Sequence, residues 1–135
     1  MKTINDTLSE LRTAIDSAYE NGVTMPEAEK LAAMTLSRRM AIADQLLITD
    51  IDSRMKKHGA KAIRAAVYME ELKKHEKKPA EAYLENAVNI SPVVETAERD
   101  FAAADVAREH LENYMSILGD AHVYFRQIAK GSYEG

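Results

Sequence analysis

Apolar residues recur along most of this chain at steps of three and four, the spacing that lines side chains along one face of an α-helix. Near the amino terminus Leu8, Leu11, Ile15, Ala18 and Tyr19 follow it. Thr7-Leu8-Ser9-Glu10 reads as a capping box, in which the Thr oxygen accepts an orphan amide of the first turn and the Glu reaches back, and Asn21-Gly22 supplies a left-handed stop. The pattern predicts a short helix over residues 6–21. Thr24-Met25-Pro26-Glu27 is a second capping box, with proline in the first turn where its missing N–H costs nothing. A long helix over 25–57 should follow, its apolar face drawn by Leu36, Met40, Ala43, Leu47, Ile51 and Met55, with His58-Gly59 as its expected stop or a kink. The consecutive steps of four in its second half would locally unwind a coiled coil.

Helix propensity continues over 60–78, with a weaker apolar face at Ile63, Val67 and either Met69 or Leu72. Pro79 must interrupt it, because the residue before a proline is pushed out of the α region. A short helix over 80–89 is predicted, and Ser91-Pro92 then opens a helix expected to run over 92–130. There the steps 3, 3, 4, 3, 4, 3, 4 and 3 link Phe101, Ala104, Ala107, Leu111, Tyr114, Leu118, Ala121, Phe125 and Ile128, a heptad seam that passes Gly119 without losing phase. Such a helix would be nearly 60 Å long at roughly 1.5 Å per residue. Residues 131–135 have nothing to pack and should fray.

These elements predict an all-α protein of one domain over residues 1–135, a long antiparallel helical hairpin or bundle with a coiled-coil-like carboxy-terminal helix. A seam that long needs a cover of like length, and a symmetry mate supplies one at low cost. Phe101, Leu111, Tyr114, Leu118, Phe125 and Ile128 are therefore the expected oligomer interface.

Composition agrees with this reading. In 135 residues there are 5 glycines and 3 prolines, too few turn formers for a many-stranded β protein. The absence of cysteine excludes a disulfide framework, a thiolate zinc site and a cysteine nucleophile, and suits the cytoplasm. No apolar run approaches the roughly 18 residues that a membrane span requires, so no membrane partner is expected.

Charge is uneven. Between Arg54 and Lys78 nine basic residues stand against Glu70, Glu71 and Glu76, although the whole chain carries −4. Lys56, Lys57, Lys61, Arg64, Lys73, Lys74, Lys77 and Lys78 are candidates for holding the phosphates of a single-stranded nucleic acid, with His58, Tyr68 and His75 available for hydrogen bonds or stacking. The competing reading is a solvated face, or pairing of these cations with acidic helices. Catalysis finds little footing. His58, His75, His110 and His122 show no metal-ligand spacing, the glycines are too scattered for a phosphate loop, and the side chains of Asp50 and Asp52 diverge on a helix. No catalytic residue, metal or cofactor is expected.

A basic central part followed by a long helix with the run Leu111, Tyr114, Leu118, Phe125-Arg126 resembles phage recombination mediators of the UvsY type, chiefly over Lys56 to Lys130. That resemblance implies an oligomeric helical protein that binds single-stranded DNA and loads a recombinase. The sequence thus leaves two roles open. One is a non-enzymatic, oligomeric accessory protein that binds nucleic acid; the other is a protein-interaction module, such as a small phage-encoded inhibitor or assembly factor that binds a host protein.

Overall fold

The computed structural model describes residues 4–131. Four α-helices account for nearly all of them: α1 (Ile4–Asn21), α2 (Met25–Lys73), α3 (Glu81–Asn89) and α4 (Pro92–Ala129). The fold class is the all-α bundle that the periodicity predicts, with α2 and α4 as its long members. The residues group into two compact units rather than one: residues up to Leu46 with those from His110 onward, and Leu47–Glu109.

Helix boundaries follow local chemistry, with three corrections. First, α1 begins at Ile4, so Thr7 and Glu10 lie inside the helix and do not cap it. Gly22, at φ +76°, ends α1 and donates its amide to the Ala18 carbonyl at 2.8 Å. Thr24 does cap α2, its Oγ1 accepting the Glu27 amide at 3.3 Å.

Second, α2 does not stop at His58-Gly59. One glycine costs a helix about 1 kcal/mol, and Ala60, Ala62, Ala65 and Ala66 follow it at once, so the helix runs on to Lys73. Third, the helix expected over 60–78 therefore has no separate start, and it ends early. Beyond Lys73 the pairs Lys73/Lys77 and Lys74/Lys78 would stack like charges one turn apart, and Pro79 forbids continuation. The Lys74 and His75 amides close the end by bonding back to the carbonyls of Glu71 and Leu72. Helix α4 is uninterrupted through Gly119, and Gly131, at φ +72°, follows its last turn. The expected fraying over 132–135 lies outside the described residues.

In the first unit α1 packs on α2 and α4. Leu8, Leu11, Ile15 and Ala18 of α1, Ala28, Ala32 and Ile42 of α2, and Leu111, Leu118, Ala121 and Phe125 of α4 form one buried cluster. The Tyr19 ring meets Tyr124 edge-on at 4.9 Å and stacks toward Phe125 at 6.2 Å. In the second unit α3 packs through Leu84 and Val88, alongside buried Ala60 of α2 and Val94 and Ala104 of α4. Within each unit α2 and α4 run antiparallel. Ala32 is bonded to His122 in the first, and Ser53 and Arg64 are bonded to Asp105 and Glu98 in the second.

The carboxy-terminal seam is thus closed by the chain's own helices. Leu111, Leu118 and Phe125 are buried, and Tyr114 and Ile128 pack against the same cluster. Phe101, in the second unit, is half-buried. Leu111, Leu118 and Phe125, expected at an oligomer interface, lie in the core of the first unit, where α1 and α2 supply the cover that a symmetry mate was expected to supply.

Candidate interaction surface on helix α2

Helix α2 carries apolar residues on two faces. Its inward face is built of small or short side chains, among them Ala28, Ala32, Thr35, Ser53 and Ala60, all buried. Thr35 and Ser53 tolerate burial because each hydroxyl is bonded. Thr35 Oγ1 donates to the carbonyls of Leu31 and Ala32 at 2.9 and 3.0 Å, and Ser53 Oγ donates to Asp105 Oδ1 at 3.3 Å. The bulkier stripe that draws attention in the sequence points the other way. Met40 is 65 % exposed, Leu47 62 %, Ile51 50 % and Met55 69 %, and Leu36 and Ile48 are exposed with them. A helix packed on one side is expected to be polar on the other; in the second unit α2 departs from that rule at Leu47, Ile51 and Met55.

Part of the basic segment is neutralised where it stands. Arg54 pairs with Asp50 at 3.1 Å and Lys56 with Asp52 at 3.2 Å, each one helical turn away. Arg64 reaches Glu98 of α4 at 2.8 Å and also donates to Asn89 Oδ1. Lys74 pairs with Glu71 and Lys78 with Glu81, at 3.3 and 3.4 Å. So four of the eight candidate phosphate ligands, Lys56, Arg64, Lys74 and Lys78, hold carboxylates. Lys61, Lys73 and Lys77 are exposed and make no ion pair among the described residues, and Lys57 lies near enough to Asp105 to favour its carboxylate.

Two carboxylates are tuned by their neighbours. Asp105 is held below the usual carboxylate range first by hydrogen bonds from Arg108, at 2.8 and 3.0 Å, and further by Ser53. Glu71 is lowered first by its hydrogen bond from Lys74, then by those from His75 and Tyr83. Both arrangements tie one element to another. The Tyr83 and Tyr68 hydroxyls donate to Glu71 and Glu81, linking α2 to α3.

The histidines do not converge. His75 sits edge-on to Tyr83, His110 edge-on to Tyr114, and His122 faces the Ala32 carbonyl. Among the described residues no group of three or more His, Asp or Glu could hold a metal ion, and no helix is long and apolar enough to cross a membrane.

The outward stripe is legible in the sequence as a pattern, but not as a surface. Most of its residues outsize those of the inward face, so periodicity alone assigns them to the core. The discriminating signal is a second stripe on the same helix, at Ala28, Ala32, Thr35, Ile42 and Ser53, in which every residue but Ile42 is small. No family model matches the chain, and no curated protein and no solved structure matches it either.

Proposed function

We propose that the protein works by association rather than catalysis: it is an all-helical interaction module that offers the outer face of α2 to another amphipathic helix. One observation carries this reading. In the second unit Leu47, Ile51 and Met55 are each at least half exposed on the face of α2 opposite its packed one. Large apolar side chains scattered singly over a surface need no explanation, but a stripe of them at helical spacing marks an interaction site. Helix-on-groove recognition uses anchors at this spacing. An address in the cytoplasm fits the reading, since the chain carries no cysteine.

A photoreactive amino acid placed at Ile51 in the producing cell tests the proposal, with the exposed Val123 of α4 as the control position. Adducts should form from position 51, not from 123, and should vanish when Leu47→Lys is added. Equal labelling from both positions, or none from 51, contradicts the proposal.

A second reading, single-stranded nucleic-acid binding of the recombination-mediator kind, is supported by Lys61, Lys73 and Lys77, which are exposed and unneutralised by any ion pair among the described residues. It requires the affinity for a labelled oligonucleotide to fall steeply with salt, as phosphate neutralisation dictates.

A further inference from the structure

Resting on the reading of α2 as an association surface, we infer that in the second unit its occupant is an acidic amphipathic helix of another protein, with its apolar stripe on Leu47, Ile51 and Met55 and its carboxylates along Arg54, Lys57 and Lys61. The two edges of the exposed stripe differ. On one edge Arg54, Lys57 and Lys61 follow at steps of three and four, all exposed, so these cations share one side of the helix. On the other edge stand Asp52 and Lys56, already paired at 3.2 Å. The stripe therefore has a cationic edge and a neutral one.

Little within the unit offsets the cationic edge. Asp50 meets Arg54 at 3.1 Å, yet the Arg54 side chain stays 75 % exposed. Lys57 lies near Asp105, a carboxylate that already holds Arg108 at 2.8 and 3.0 Å. Lys61 makes no ion pair among the described residues. Lys57 and Lys61 are like charges one turn apart, an arrangement that weakens a helix and that carboxylates laid beside it would relieve.

The apolar part of the surface selects a helix over a polyanion. A phosphate backbone would satisfy the cations and leave Leu47, Ile51 and Met55 in water, whereas a helix laid lengthwise covers anchors at this spacing. A lipid surface is a poorer match, because the stripe carries no Trp or Phe. From Leu47 to Lys61 the surface runs about 21 Å at roughly 1.5 Å per residue, the length of about four turns of a partner helix.

A second α2 fits the edges less well. Laid antiparallel, it would set the cationic edge against its own copy, and like charges brought together across an interface are costly. Laid parallel, it would set that edge beside the Asp52–Lys56 pair, which is already neutral. Neither arrangement supplies the missing carboxylates.

Two stapled helical peptides of about four turns test this, both with leucines at heptad a and d positions, one flanking them with glutamates and its twin with lysines. By fluorescence anisotropy the purified chain should bind the glutamate peptide at least about tenfold more tightly than the lysine twin, a gap that narrows with salt. Ile51→Ser should weaken that binding, and Lys57→Glu with Lys61→Glu should reverse the preference, with helical circular dichroism unchanged in both. Equal binding of the two peptides, or no reversal in the double variant, overturns the acidic occupant. So does a purified chain that dimerises until Ile51→Ser is introduced, which gives the surface to a second copy, or one that co-sediments with phosphatidylserine vesicles and ignores both peptides. If neither peptide binds while the photoreactive residue at position 51 still yields its site-specific adducts, the association surface stands and the acidic occupant falls; if those adducts fail as well, both fall.

Discussion

The Nδ1 of His122 lies 2.9 Å from the carbonyl oxygen of Ala32, joining α4 to α2 inside the first unit. A carbonyl only accepts, so Nδ1 carries the proton and donates. The Ala32 carbonyl also receives the Thr35 hydroxyl at 3.0 Å, which makes this point of α2 a small polar anchor in an otherwise apolar contact. His122→Ala removes the donor and part of the packing beside buried Ala121 and Phe125; unfolding in urea should show a loss of about 1–2 kcal/mol. Thr35→Val should cost less, since the carbonyls that its hydroxyl bonds lie within the helix and keep their amide partners.

Phe125 is fully buried where α1, α2 and α4 meet in the first unit. Phe125→Ala should destabilise by about 3–5 kcal/mol, the range for truncating a core aromatic. Val106→Ala, on the exposed side of the same helix, should stay within about 0.5 kcal/mol. Thermal melts of the two variants check the assignment of the carboxy-terminal seam to the chain's own core.

Gly119 sits inside a continuous helix, where a Cβ would come within 3.3 Å of Arg39 Nε and 3.4 Å of Cζ. The obstructing atoms are the far end of a flexible side chain, which can move aside by a few tenths of an ångström. Gly119→Ala should therefore recover most of the helix-propensity gain of about 1 kcal/mol and raise Tm. A lowered Tm would show that Arg39 is pinned.

The acid limb of stability should depend on Asp105. Its folded-state pKa is depressed, chiefly by Arg108, so its contribution is present above the unfolded carboxylate value of about 3.9 and is lost as pH falls through the lower folded value. Denaturation of wild type and Asp105→Asn should differ at neutral pH and converge on acidification below about pH 4. A gap that does not close would assign the effect of the substitution to packing.

Much of the fold was legible in periodicity and punctuation. Ser91-Pro92, Asn21-Gly22 and Thr24 mark helix ends by chemistry confined to a few neighbouring residues, and the heptad phase carried α4 through Gly119. Gly59 misleads because a single glycine is a weak breaker beside four alanines, a balance that no dipeptide signal expresses. The partner of the α4 seam was not legible either: α1 and α2 cover it through contacts as distant in sequence as Tyr19 and Phe125. The two faces of α2 show the same limit. Buried Thr35 and Ser53 look like solvent-facing residues until Ala32 and Asp105 appear as their partners, whereas Leu47 and Ile51 look like core and stand exposed among the described residues. The ion pairs Arg64–Glu98 and Lys78–Glu81 explain why a run of cations is less available to phosphates than its composition suggests.

Sedimentation equilibrium of the wild-type chain beside Ile51→Lys tests most directly that α2's outer face is the surface through which the protein associates. Labelled and run in an extract of the producing cell, wild type should sediment above the 15.1 kDa of one chain, and Ile51→Lys, with its helical circular dichroism unchanged, at the mass of one. A wild type that sediments at the mass of one chain there, or a lysine variant that keeps the wild-type mass, would contradict the account.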